Sequence, residues 1–168
     1  MKLRTSQKGA AVVEFALLSL LLLVFVFGII EFGFLWVQSH YVANAAREGA
    51  RVAAKIKGDN AAAILARQTA AENAAREHLR AFFMYGDKVD NPGSNPGFLT
   101  IAVSEGNLPM ASPPTSVPRL VQVTVTAQSE QIWQPILWPL LNLLPGGDIF
   151  PDDFLTSITQ SADYVILR

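Results

Sequence analysis

The sequence predicts an α+β fold: a long N-terminal transmembrane helix that runs on into a second helix, both packed on a small antiparallel sheet. Three observations predict it. In a chain of 168 residues that is 51% hydrophobic, the apolar residues are concentrated in Ala10–Val37 and again in Ile132–Leu144. Alanines recur at three- and four-residue intervals beyond the first stretch. The C-terminal half carries alternating β-branched runs between Pro-rich connections. The resulting division is a basic leader at 1–9, a transmembrane helix at 10–37, an exported helical region at 38–85 and a small β-rich region at 86–168. The last contains an apolar Pro/Trp segment at 132–145.

The leader Met1–Gly9 carries Lys2, Arg4 and Lys8 and no acid, while Ala10–Trp36 carries no basic residue. That asymmetry holds a leader on the cytoplasmic side and sends the rest of the chain across the inner membrane, so the expected topology is single-pass with the C-terminal part outside the cytoplasm. Ala10–Ile30 is 21 residues. At about 1.5 Å per residue such a helix covers a hydrocarbon layer of roughly 30 Å. The one charge in this run is Glu14, which would cost about 2.5–3.5 kcal/mol at mid-membrane. Only four residues from Ala10, it is shallow enough to snorkel. An acid within a span is a functional candidate, and no Lys or Arg lies one helical turn away, so its partner must come from another chain or a newly made terminus.

Lys8-Gly9 followed by Ala10-Ala11-Val12-Val13-Glu14-Phe15 resembles the processing site of type IV prepilin-like proteins: a basic leader ending in Gly, then an apolar helix with Glu as its fifth residue. With Phe15 after Glu14 it looks closest to the tight-adherence (Flp) pilus group. Farther on, Ala45-Ala46-Arg47-Glu48-Gly49-Ala50-Arg51 is similar to the Ala/Arg/Gly-rich helical signature of the TadE-like pseudopilin family, and TadG-like relatives share the N-terminal pattern. The resemblance covers about the first 57 residues. It implies cleavage between Gly9 and Ala10 by a membrane prepilin peptidase. It further implies that Glu14, with Phe15 beside it, pairs with the freed Ala10 amine of a neighbouring subunit or guides docking into the assembly machinery. Ala46, Arg47, Glu48, Gly49, Ala50 and Arg51 would form a helix-packing motif. The implied fold is pilin-like, the implied partners are the peptidase, other pilins or pseudopilins and inner-membrane assembly proteins, and the implied role is a minor, pseudopilin-type component. Burying an ammonium and a carboxylate together offsets part of the solvation each loses. Loss of Lys2, Arg4 and Lys8 would take the formal charge from −1 to −4 and remove the retention signal.

Past Ile30 the helical pattern continues, interrupted by Glu31, Gln38, Arg47, Glu48 and Arg51, with no Pro before Pro92. Ala43, Ala46, Ala50, Ala53 and Ala54 make a small-residue stripe suited either to close approach by another backbone or to packing on the protein's own sheet. Gly49 costs roughly 1 kcal/mol against Ala, which marks it as a packing point or hinge. Gly58-Asp59-Asn60 reads as a stop and a cap, and Ala61–Phe83 as a second helix with Ile64, Ala71, Ala75, Leu79 and Phe82 on one face. Tyr85–Gly97 and Leu108–Pro118 read as linkers. Phe98–Ser104, Arg119–Gln128 and Thr156–Leu167 read as strands, the first two pairing as an antiparallel hairpin. Ile132–Leu144, broken by Pro135 and Pro139, is too short to span a membrane and suits an apolar lid, a membrane-surface contact or a partner patch.

The near-neutral balance and the lack of a basic tract in the body of the chain disfavour nucleic acid. Without Cys there are no disulfides and no thiolate sites. His40 and His78 have no ligand or triad spacing, and Asp148, Asp152 and Asp153 around Pro151 read as a solvated turn. No catalytic residue, metal site, cofactor or small-molecule substrate is expected. A second reading is a secreted soluble protein cut by a signal peptidase after Ala43-Asn44-Ala45; another is an anchored periplasmic adaptor.

Overall fold

The structure is a computed structural model that describes residues 7–82, 85–90, 97–107, 119–128 and 157–166. The described elements are helices α1 (Gln7–Ala53), α2 (Ala61–Arg80) and α3 (Gly86–Asp90), followed by strands β1 (Leu99–Asn107), β2 (Arg119–Gln128) and β3 (Ser157–Ile166). This is the α+β class expected from the sequence. The leader residues 1–6 and the segment Ile132–Leu144 lie outside the described residues, as do Asp148, Asp152 and Asp153.

The chain divides between Leu35 and Trp36 into two compact units. The described part of the first is α1 from Gln7 to Leu35. Its large apolar side chains point outward all round: Phe15 and Ile29 are more than 70% exposed, and Val12, Leu17, Leu22 and Phe25 more than 60%. Glu31, at 9% exposed, is the buried exception in this stretch, whereas exposed apolar side chains in such number call for burial by something other than the helix's own fold. From Gly9 onward α1 is long enough and apolar enough to cross a bilayer, with a mean hydropathy of 2.8 in its most apolar window.

The second unit begins with the rest of α1, whose character changes to small residues. Val42, Ala45, Ala46, Ala50 and Ala53 are fully buried there, and Ala71, Ala75 and Leu79 of α2 are fully buried as well. Helix α1 ends by tightening: Lys55 and Ile56 donate backbone N–H bonds to the carbonyls of Val52 and Ala53, three residues back. Gly58 then turns the chain at φ +108°, a conformation open to glycine at little cost. Asn60 caps α2, its Oδ1 accepting from the Ala63 N–H at 2.8 Å.

The sheet is antiparallel in the order β1-β2-β3. The central strand puts Val121, Val123, Val125 and Ala127 fully into the core. Register places Val103, Val123 and Ala162 side by side, and the rows on either side are Ile101, Val125, Gln160 and Glu105, Val121, Tyr164. The other face presents Thr100, Thr126, Thr159 and Ala102, Thr124, Ser161. Two differences from the sequence reading stand out. Helix α2 ends at Arg80 rather than Phe83, and Tyr85–Gly97 includes the short helix α3. The reason is aromatic packing: Phe82, Tyr85 and Phe98 stack edge to face with centroids 4.9 and 5.4 Å apart, which pins the chain where Gly and Pro alone suggest a loose connection.

Candidate functional site

Gly9 and Ala10 are the third and fourth residues of α1, so their peptide bond lies in the turn whose N–H groups have no intrahelical acceptor. Both residues are exposed, and a Cβ added at Gly9 would meet nothing within 4 Å. That end of the helix is the part most easily unwound into the extended form a protease needs. Glu14 and Phe15 follow one turn later, also exposed, with Glu14 on the same helical face as Ala10. The arrangement is a linear exposed segment of a largely apolar helix, not a pocket.

The second sequence motif splits between two faces of α1. Ala46, Gly49 and Ala50 turn inward and are buried. Gly49 lies against α2 and the sheet at once: a Cβ there would sit 2.9 Å from the Ala71 carbonyl oxygen and 3.4 Å from Val123 Cγ1. Arg47 and Arg51 are exposed and Glu48 half-buried. Arg47 Nη1 donates to Asn44 Oδ1 at 3.2 Å, and Arg51 donates Nε to Glu48 Oε2 at 2.8 Å and Nη2 to Oε1. The hydrogen bond from Arg51 holds the Glu48 carboxyl below the usual carboxylate range, and the same bond raises the arginine.

Sequence reasoning missed the polar groups that hold this unit together. Arg67 is completely buried on the apolar face of α2 and forms an ion pair with Glu105 of β1. Gln38 of α1 is also completely buried and accepts a hydrogen bond from the Tyr85 hydroxyl at 3.2 Å. The signal for Arg67 was present: it stands four residues before Ala71, on the stripe that continues through Ala75 and Leu79. His40 is exposed and packs edge-on to Trp36, and His78 lies beside Tyr41. Among the described residues, no three His, Asp or Glu side chains come together as a metal site.

Residues 9–51 match the family model described as TadE-like protein. The chain carries a TadE-like N-terminal segment. No curated protein and no solved structure matches the chain. The TadE-like match opens at Gly9 and closes at Arg51, so it takes in the exposed Gly9, Ala10, Glu14 and Phe15 as well as the motif that ends beside α2. The match suggests association with a Tad pilus, and the apolar helix is a candidate membrane anchor.

Proposed function

We propose that this chain is a minor pseudopilin of a tight-adherence (Flp) type IV pilus, cut by a prepilin peptidase between Gly9 and Ala10. The mature form is anchored in the inner membrane by 10–37, carries its head outside the cytoplasm, and serves pilus assembly and through it adhesion and surface colonisation. The observation that carries the proposal is the coincidence of the TadE-like match with a helix whose large apolar side chains are exposed before Leu35 and which then continues into a folded unit from Trp36 onward. An anchored assembly subunit needs that division. One part must partition into lipid and pack against other helices, and the other must fold in water.

In this reading Glu14 meets the freed Ala10 amine of a neighbouring subunit, which sets the register between adjacent helices, while Phe15 packs beside it. Partners are the peptidase, other pilins or pseudopilins and inner-membrane assembly proteins. The burial of Ala45 speaks against a secreted form cut after it: Gln38, Val42 and Ala45 are all fully buried, and such a cut would pull them out of the core.

The test is the intact mass of the protein in membrane and soluble fractions, from cells with and without the prepilin peptidase. A membrane-bound species beginning at Ala10 and made only with the peptidase is expected. An uncut membrane-bound chain would remove the pseudopilin reading and leave an anchored adaptor, and a soluble species beginning near Ala46 would overturn the anchor as well.

A further inference from the structure

One stripe of α1 before Trp36 is more enclosed than the rest. Val24, Phe27, Phe34 and Leu35 are half-buried and Glu31 is 9% exposed, while Phe25, Ile29, Ile30 and Phe32 among them stand open. The enclosed residues recur at three- and four-residue intervals on one helix face, and the same face runs on into the buried Gln38, Val42 and Ala45. The structure is of one chain, so the groups that enclose Glu31 belong to that chain. A helix surface does not by itself bury a glutamate to this extent.

We propose that the connection between β2 and β3, residues 129–156, folds back along this stripe and packs its apolar Ile132–Leu144 segment on Val24–Leu35. The connection lies outside the described residues, but both of its ends are fixed. Gln128 of β2 pairs with Ser157 of β3, so the chain leaves the sheet and returns to it at one point. That point is at the Trp36 end of the second unit: Gln160 of β3 donates to the Ser39 hydroxyl at 3.2 Å, whereas Tyr164 and Val165, later in the strand, lie by Arg51 and Ala54. Strand β3 begins at Ser157 and so reaches only about 10 Å past Gln160. The stripe runs roughly 22 Å from Ser39 to Val24. With 28 residues, the connection is long enough to cover that distance and return.

The chemistry of the segment suits the stripe. Leu137, Leu140 and Leu141 supply apolar surface for Phe27 and Phe34, and Trp133 and Trp138 favour the membrane–water boundary, where the span ends. Pro135, Pro139 and Pro145 keep the backbone from closing into a helix, and such backbone is tolerated at membrane depth only where it packs on protein. Lipid alone is therefore a poor host for it. An enclosed carboxylate needs hydrogen-bond donors. The connection has no Lys or Arg, and it offers Glu31 the indole N–H groups of its two tryptophans and the amides of Gln131, Gln134 and Asn142. Packed this way, the segment closes one side of the anchor and leaves Leu22, Phe25, Ile29 and Trp36, on the opposite side, for another helix. The inference uses the anchor of the reading above and none of its processing step.

The experiment is cysteine cross-linking of the full-length protein, which has no cysteine of its own. Phe27→Cys, Phe34→Cys or, on the opposite side, Ile29→Cys is combined in turn with Leu137→Cys, Leu140→Cys or Leu141→Cys. Membrane and soluble fractions are treated separately with a short bifunctional methanethiosulfonate, and intact mass tells a bridged monomer from a dimer. Two positions on the stripe keep the test decisive if one substitution disturbs the fold, which the thermal midpoint reports. Bridged monomer is expected from Phe27→Cys or Phe34→Cys with at least one of the three leucine positions, and none from Ile29→Cys. Absence of any bridge, bridges from both sides alike, or dimers alone would each overturn the packing, the last by assigning the stripe to a second copy. Loss of the protein from the membrane fraction would count against the anchor instead, so the two failures are distinguishable.

Discussion

Arg67 of α2 and Glu105 of β1 meet as a buried fork: Nε donates to Oε1 at 2.7 Å and Nη2 to Oε2 at 3.1 Å, the arginine fully enclosed and the glutamate side chain 9% exposed. The third nitrogen, Nη1, donates to the carbonyls of Ile56 and Gly58 at 3.0 and 2.8 Å. One side chain thus joins the turn after α1, helix α2 and the edge strand β1. Arg119 of β2 adds a second cation 3.4 Å from Glu105 and extends the chain of charges to Asp59 at 3.0 Å. Charges this enclosed are tolerated because nearly every donor and acceptor is used.

Replacing Arg67 tests that account. Arg67→Met leaves Glu105 with Arg119 alone and strips two carbonyls of their donor, so the second unit should lose about 3 kcal/mol, the lower end of the cost of breaking a buried pair. Adding Glu105→Leu should restore part of the loss, since the double variant leaves no buried carboxylate. Amide exchange across β2 in the full-length protein reads both values. A single variant with exchange rates close to wild type would show that the pair contributes little.

Gly49→Ala makes a second, sharper case. In an exposed helix this change stabilises by about 1 kcal/mol. Here the new methyl would stand 2.9 Å from a backbone oxygen of α2, which cannot rotate away. The helices must separate, and a net destabilisation of about 1–3 kcal/mol is expected in the same exchange measurement. Stabilisation would mean that α1 and α2 yield at this point without cost.

Tyr85 sets an alkaline limit. Its burial raises the hydroxyl pKa well above the ordinary value of about 10, because the phenolate would be desolvated. A group whose pKa is raised by folding stabilises fully below the unfolded value and loses that contribution as pH climbs toward the folded one. Between pH 8 and 10 the stability difference between wild type and Tyr85→Phe should be flat, about 1 kcal/mol in favour of the hydrogen bond to Gln38. Above about pH 10 wild type should lose up to about 1.4 kcal/mol per pH unit relative to the variant. Denaturant titrations at pH 9 and 11 decide it, and parallel curves would show that the ring is reached by water.

Legibility in the sequence divides along physical lines. Gly58 and Asn60 act within a few residues of themselves, so the stop after α1 and the cap of α2 could be read directly. The alternation of Val121, Val123 and Val125 sets which face of β2 is buried, and the three strands are found within a few residues of where it and its neighbours suggested. Arg67–Glu105 and Gln38–Tyr85 were not legible, because each depends on groups far apart in the chain meeting in three dimensions. Helix α3 was hidden for a related reason: Phe82, Tyr85 and Phe98 hold it in place, while the local sequence speaks for a turn. The long apolar stretch of α1 was legible because hydropathy is a property of composition, while the burial of Glu31 within it was not.

Glu14 gives the prediction that bears most directly on assembly. It is exposed within the apolar run that begins at Ala10, one turn from that residue, where an uncompensated charge opposes insertion and is worth keeping only for what it meets. Glu14→Ala should therefore leave membrane insertion unchanged or improved, and leave cleavage after Gly9 intact, while pilus assembly falls. Glu14→Gln, which keeps the shape and removes the charge, should behave like the alanine variant if charge pairing sets the register. Fractionation, intact mass and filament counts on the same cells separate the three steps. Wild-type piliation in both variants would remove the pairing role from Glu14, whereas loss of insertion would show that the carboxylate serves topology instead.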